Sequence, residues 1–75
     1  MELNEFLENF ADLFDDTDAS EITADCHFRE LEEYSSLTGM SIIALCKTEY
    51  DKAITGADIR SCTTVEDLFN LINSK

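Results

Sequence analysis

Apolar residues recur at intervals of three and four through Leu3, Phe6, Leu7, Phe10, Leu13 and Phe14, with Glu2, Glu5, Glu8, Asp12 and Asp15 on the opposite side. This spacing predicts an amphipathic helix from about residue 2 to 15. The pattern then dissolves. Asp16-Thr17-Asp18-Ala19-Ser20 is a run of turn and cap formers, and no single period persists as far as Tyr34. Residues 16–34 therefore read as a long loop, pinned by the apolar anchors Ile22, Phe28 and Leu31. A loop of that length in so short a chain calls for a functional reason.

Ser35 and Ser36 stand directly before the run Leu37, Met40, Ile43 and Ala44. A second helix is predicted to start at one of these hydroxyls as its N-cap, to bury that apolar run and to end near Tyr50. Gly39, in its first turn, disfavours helix by up to about 1 kcal/mol relative to Ala, which points to a place where a side chain would obstruct close packing or a partner. Thr55 to Arg60 reads as a short helical turn holding Ile59 inward. Thr63 with Glu66 three residues later is a capping-box pattern, and Val65, Leu68, Phe69 and Ile72 give the last helix its buried stripe. Nothing reads as a strand. The expected fold is all-α, one domain over residues 1–75, with three main helices and one short one.

Charge narrows the functional classes. The chain of 75 residues has a formal net charge of −12. Residues 1–33 hold twelve acids against Arg29 alone, a net of −11, and residues 34–75 hold five acids against four bases, a net of −1. Phosphate contacts need a basic surface, so direct nucleic-acid binding is excluded. The acidic half attracts basic partners over a distance set by salt and repels copies of itself, which predicts a monomer. Compaction crowds these carboxylates, so folding is expected to raise some of their pKa values and to favour the fold as pH falls from about 7 toward 5.

Catalytic constellations are missing. His27 is the single histidine, and glycine occurs only at Gly39 and Gly56, so neither a nucleophilic triad nor a phosphate-cradling loop can be built. Cys26, Cys46 and Cys62 lack CxxC spacing and an even count, which argues for reduced thiols over a disulfide framework or a zinc site. Asp16, Asp18 and Ser20 match the first ligands of an EF-hand loop, but Glu21 replaces its glycine and His27 its closing glutamate. The expectation is no metal centre, with Asp15, Asp16 and Asp18 as a weak divalent-ion candidate. No apolar run is long enough to span a membrane and the first residues lack a signal-peptide pattern, so the expected location is cytoplasmic, without membrane insertion.

The run Phe28-Arg29-Glu30-Leu31-Glu32-Glu33-Tyr34-Ser35-Ser36-Leu37 resembles the modification site of acyl carrier proteins. The family's usual form is Asp-Ser-Leu, placed in one branch after Leu-Glu-Glu-Trp. Here Leu31-Glu32-Glu33-Tyr34 carries Tyr in place of Trp, Ser35 stands at the Asp, Ser36 at the modified serine, and Leu37 at the leucine. Thr55-Gly56-Ala57-Asp58-Ile59 and Thr64-Val65-Glu66-Asp67-Leu68 look like the family's third and fourth helices, so the resemblance spans nearly the whole chain.

The resemblance implies a four-helix acyl-carrier-type bundle and a non-catalytic carrier protein. Its 4′-phosphopantetheine arm would be joined to Ser36, flanked by Tyr34, Ser35 and Leu37, with Glu32 and Glu33 adding negative charge beside it. It further implies thioester carriage in fatty-acid, lipid, polyketide or peptide-type assembly. Partners would be a phosphopantetheinyl transferase and acyl-transferring enzymes with basic docking surfaces. Ser35 departs from the family's acid at that position, and helix II offers Thr38, Ser41, Lys47 and Thr48 with Glu49 as its main acid; both point to a specialised pathway. The alternative expectation is a carrier-like, unmodified acidic module for protein interaction.

Overall fold

The computed structural model describes residues 2–75. Among them are four α-helices and no strand: α1 (Leu3–Ala11), α2 (Ser36–Glu49), α3 (Gly56–Arg60) and α4 (Val65–Asn73). They form a small helical bundle. None is long and apolar enough to cross a membrane.

The period of the first helix carries its buried face inward as expected, with Phe6 and Phe10 fully buried. Its length is corrected. Regular α-helix stops at Ala11 because the next amides tighten onto nearer carbonyls: Leu13 N–H donates to Phe10 O (3.1 Å) and Phe14 N–H to Ala11 O (3.0 Å). This is the 3₁₀ closure by which helix ends satisfy orphan groups. The tightened turn still delivers Phe14 to the core. Phe6, Phe10 and Phe14 follow one another at centroid distances of 5.7 and 5.5 Å, and Phe28 meets Phe10 edge-on at 5.5 Å. Around this aromatic row pack Ile22, Ile42, Ile54, Ile59, Val65, Leu68 and Ile72.

The segment from Asp12 to Ser35 is a long connection with two 3₁₀ turns, Ala19–Glu21 and Phe28–Glu30. Ile22 and Phe28 are buried and Leu31 is partly buried, so the three anchors read from the sequence do pin it. Two backbone bonds tie it to α4. Val65 N–H donates to Cys26 O (3.1 Å) and Glu66 N–H to Ala24 O (2.8 Å), so loop carbonyls satisfy the otherwise free amides of the helix start. Its two ends are strapped together by Glu33, whose Oε1 accepts from Asp16 N–H (3.1 Å) and Thr17 Oγ1 (2.7 Å).

Those loop-to-α4 bonds also settle a register that the sequence leaves ambiguous. The capping box is Thr64 with Asp67, one residue beyond the predicted Thr63 with Glu66. Asp67 Oδ2 accepts from both Thr63 N–H (3.2 Å) and Thr64 N–H (3.1 Å), and Thr64 Oγ1 accepts from Asp67 N–H (3.1 Å). Two overlapping Thr-x-x-acid patterns exist here; the later one places Val65 in the core with its amide paired.

The second helix carries the largest correction. Its buried positions are Gly39, Ile42 and Cys46, whereas Leu37 is 72% and Met40 is 66% exposed. Ala44 is exposed and Ile43 partly buried, so the predicted stripe faces largely outward. Apolar residues occur on every side of α2, so its sequence carries no unique inward face, and packing on the aromatic core makes the choice. Beyond Tyr50 the chain turns through Asp51 at φ 52, a left-handed conformation that Asp tolerates and that ends the helix.

Carboxylate titration also departs from expectation. Asp18, Asp25, Asp58 and Asp67 are all moved below the ordinary Asp value. Hydrogen bonds are the main cause: from the Ser20 amide to Asp18, the Thr23 hydroxyl to Asp25, the Thr55 amide to Asp58, and the Thr64 and Thr63 amides to Asp67. A lowered folded-state pKa stabilises the fold above the unfolded value of about 3.9 and loses that effect as pH falls through the folded value. Melting temperature is therefore expected to stay level from about pH 7 to 5 and to drop below about pH 4. Thermal melts across that range check this. A melting temperature that climbs between pH 7 and 5.5 would reinstate carboxylate repulsion as the controlling term.

Candidate functional site

The paired hydroxyls at the start of α2 have separate tasks. Ser35 is the N-cap: its Oγ accepts from Thr38 N–H (3.4 Å), and Thr38 Oγ1 accepts from Ser35 N–H (3.2 Å), closing a capping box. Thr38, expected as an exposed polar position, is thus half of this cap. Ser36 is the first helical residue and is exposed, and among the described residues its Oγ has no hydrogen-bond partner. No acid lies in the first turn of α2, so the positive end of its dipole is uncancelled there. A free hydroxyl at such a position suits conversion to an anionic ester.

Around Ser36 the chain presents two different surfaces. On the outside, Leu37 and Met40 form an exposed apolar patch continued by Ala44 along the same side of the helix. On the inside, α2 and α3 enclose a groove of about 400 Å³ that Ser36 helps to line. Ile43 and Ile59 give it apolar walls, the exposed Met40 borders both surfaces, and the exposed Arg29 and Arg60 bring positive charge.

Tyr34 backs the groove. Its ring meets Phe28 edge-on at 5.9 Å, and it lies over Gly39, where an added Cβ would come within 3.2 Å of the Tyr34 hydroxyl. The glycine in the first turn therefore answers to close packing, which was one of the two reasons offered for it. Glu33 is drawn away from Ser36 by its strap to Asp16 and Thr17, and with Glu32 it lines a separate acidic hollow that also holds Asp16 and Glu21. Of the four residues from Tyr34 to Leu37, Tyr34 and Ser36 line the groove and Ser35 and Leu37 do not, while Glu33 serves the loop.

The divalent-ion candidate does not assemble. Among the described residues no group of three or more His, Cys, Asp or Glu side chains is placed to hold a metal ion, and Asp18 caps the first 3₁₀ turn by accepting from Ser20 N–H (3.0 Å). All three cysteines are free; burial pushes the Cys46 thiol up to about 11 and raises Cys26 and Cys62 as well. Nucleophilic thiolate is correspondingly scarce at neutral pH.

Sequence reasoning missed the two arginines. Arg29 precedes α2 and Arg60 closes α3, so nothing in their spacing joins them. The one signal was that Arg29 is the lone base among the first 33 residues. Compared with protein-family models, curated proteins and solved structures, the chain gives no match.

Proposed function

We propose that this chain is a non-catalytic acyl carrier protein, a four-helix acyl-carrier-type domain over residues 1–75 whose Ser36 bears a 4′-phosphopantetheine arm. The observation that carries the reading is the division of labour at the start of α2. Ser35 makes the cap, and Ser36 keeps a free, exposed hydroxyl at the rim of a groove.

Transfer from coenzyme A would join Ser36 Oγ to the phosphorus that bears the pantetheine. The bond from that phosphorus to the bridging pyrophosphate oxygen would break, adenosine 3′,5′-bisphosphate would leave, and the hydroxyl proton would pass to the transferase. When attached, the arm supplies a thiol for acyl thioesters, chemistry that belongs to the cofactor. The chain's residues hold and present it. Amides of the first turn of α2 and its helix dipole favour the anionic ester, in a turn free of competing carboxylates. Leu37 and Met40 offer an apolar patch beside the attachment point, of the kind that partner enzymes cover. The acidic surface of residues 2–33 steers basic partners toward it in a cytoplasmic, monomeric setting.

Intact mass after incubation with coenzyme A, magnesium and a broad-specificity phosphopantetheinyl transferase tests this. A gain of one phosphopantetheine group is expected. An unchanged mass would leave the unmodified interaction module as the better reading.

Replacement of Ser35 by Asp is expected to quicken that transfer several-fold. Asp is as good an N-cap as Ser, so α2 keeps its start, and the new carboxylate stands beside the reacting hydroxyl where the transferase brings its metal. Initial rates of the two proteins at equal concentration settle the point, and a slower variant would show that the transferase reads the site by other features.

A further inference from the structure

We infer that Arg29 and Arg60 select the protein that docks on the Ser36 face: a partner whose docking surface is an apolar hollow rimmed by carboxylates, with basic-surfaced enzymes disfavoured. The inference rests on the carrier reading and names the partner chemistry of that same site.

This face is cationic although the chain is strongly acidic. Exposed Leu37 and Met40 form its apolar centre, and exposed Ala44 and Lys47 continue the same side of α2 at helical spacing. Arg29 and Arg60, both exposed, line the groove together with Met40. Arg29 is held by two bonds to one carbonyl, Nε to Cys62 O (3.1 Å) and Nη2 to Cys62 O (2.8 Å). Its other N–H donors stay available to a partner. A Cβ added at Gly56 would come within 3.3 Å of Arg60 Nη1, so a glycine as the first residue of α3 makes room for that guanidinium.

The neighbouring carboxylates are committed elsewhere. No acid precedes Glu49, the last residue of α2. Asp58, the acid of α3, pairs with Lys75 (3.1 Å) and accepts from Thr55 N–H (3.0 Å). Glu33 is strapped to Asp16 and Thr17, Glu32 lines the acidic hollow, and Glu30 meets His27 at 2.9 Å. Among the described residues neither Arg29 nor Arg60 has an acidic partner within ion-pair distance. Unpaired charges at the rim of an apolar centre discriminate between partners more than they add affinity. The acidic surface of residues 2–33 acts on a partner's overall charge across solvent, whereas at contact the Ser36 face sets like charge against any lysine or arginine opposite it. Carboxylates in those places would instead make forked pairs with the two guanidiniums.

The test measures phosphopantetheine transfer from coenzyme A to the full chain by intact mass, with carrier concentration varied to give KM and kcat. Two enzymes are compared: a phosphopantetheinyl transferase with a basic docking surface, and the same enzyme with two cations of that surface changed to glutamate. For the basic enzyme at low salt, Arg29→Gln with Arg60→Gln is expected to lower KM about threefold or more and to leave kcat within about twofold. Asn4→Asp with Asn70→Asp alters net charge by the same amount at exposed positions of α1 and α4, and is expected to change KM by less than about 1.5-fold. The glutamate-bearing enzyme is expected to show the reverse order, with a higher KM for the glutamine variant than for the unaltered chain. Both differences should fade in about 1 M sodium chloride. Circular dichroism checks that the double glutamine variant is folded; if it is not, Arg60→Gln alone, which keeps the bonds to Cys62 O, decides the matter with a KM lowered about twofold. A KM for the basic enzyme that the glutamine variant leaves unchanged or raises, or that the asparagine variant lowers equally, overturns the inference and leaves the carrier reading standing. A change confined to kcat also overturns it, since the arginines would then act on the transfer step and not on docking. Transfer to none of these chains by either enzyme overturns the carrier reading, and this inference with it.

Discussion

Ser36→Ala protein is expected to keep its mass unchanged after incubation with coenzyme A and a phosphopantetheinyl transferase, while Ser35→Ala protein still gains the arm. The two serines are adjacent and chemically alike, so any difference between them comes from structure. Ser36 Oγ is exposed and makes no bond among the described residues, whereas Ser35 Oγ accepts from Thr38 N–H. Loss of the cap in Ser35→Ala lowers stability by about 1 kcal/mol, which slackens the first turn without removing the acceptor hydroxyl. Ser36→Ala should melt close to the unaltered protein. The two variants thus separate attachment from stability in opposite directions. Label on Ser35, or a mass gain that survives Ser36→Ala, would overturn the assignment of the site.

Phe10→Ala is expected to be the most damaging single truncation among those considered, lowering stability by about 3–5 kcal/mol. Phe10 is fully buried and touches Phe6, Phe14 and Phe28 through ring contacts of 5.5 to 5.7 Å. Those three rings join α1, the turn that ends it and the long connection, so a hole at Phe10 loosens all three at once. Small domains are stable by only about 5–15 kcal/mol, and a chain of 75 residues belongs near the lower end. Each kcal/mol shifts the melting temperature of such a domain by about 4–8 °C, so a fall of tens of degrees or outright loss of the transition is expected. Met40→Ala makes the contrast. Both residues lie on apolar runs of predicted helices, but Met40 is 66% exposed and its truncation should change stability by no more than about 0.5 kcal/mol. Comparable losses in the two variants would mean that α2 packs through its Leu37 and Met40 side after all.

Much of this protein was legible in the amino-acid order. Phe6, Phe10 and Phe14 on one face of the first helix, the anchors Ile22, Phe28 and Leu31, the serine cap of the second helix, and the stripe Val65, Leu68 and Ile72 all follow from local rules. Where a segment has a single apolar face, its period leaves one choice of inward side, and α1 and α4 are such cases even though their ends were not fixed by it. Local rules placed the start of α2 at Ser35 or Ser36 without choosing between them, and the cap at Ser35 is a result of the folded chain.

Other features needed the folded chain. The inward face of α2 could not be read because apolar residues surround it, so only the fit of Gly39, Ile42 and Cys46 against the core decided which way Leu37 and Met40 would point. The start of α4 hung on long-range bonds from Val65 and Glu66 to Cys26 and Ala24, which no local pattern contains. Carboxylate titration, expected to rise from crowding, moved down where backbone amides reached Asp18, Asp58 and Asp67. Arg29 and Arg60, 31 positions apart in the chain, line one groove because a backbone carbonyl fixes the first and a glycine makes room for the second. Local order dictates helices and caps through bonds spanning three or four residues, whereas a shared wall between α2 and α3 exists only once the core has brought those helices together.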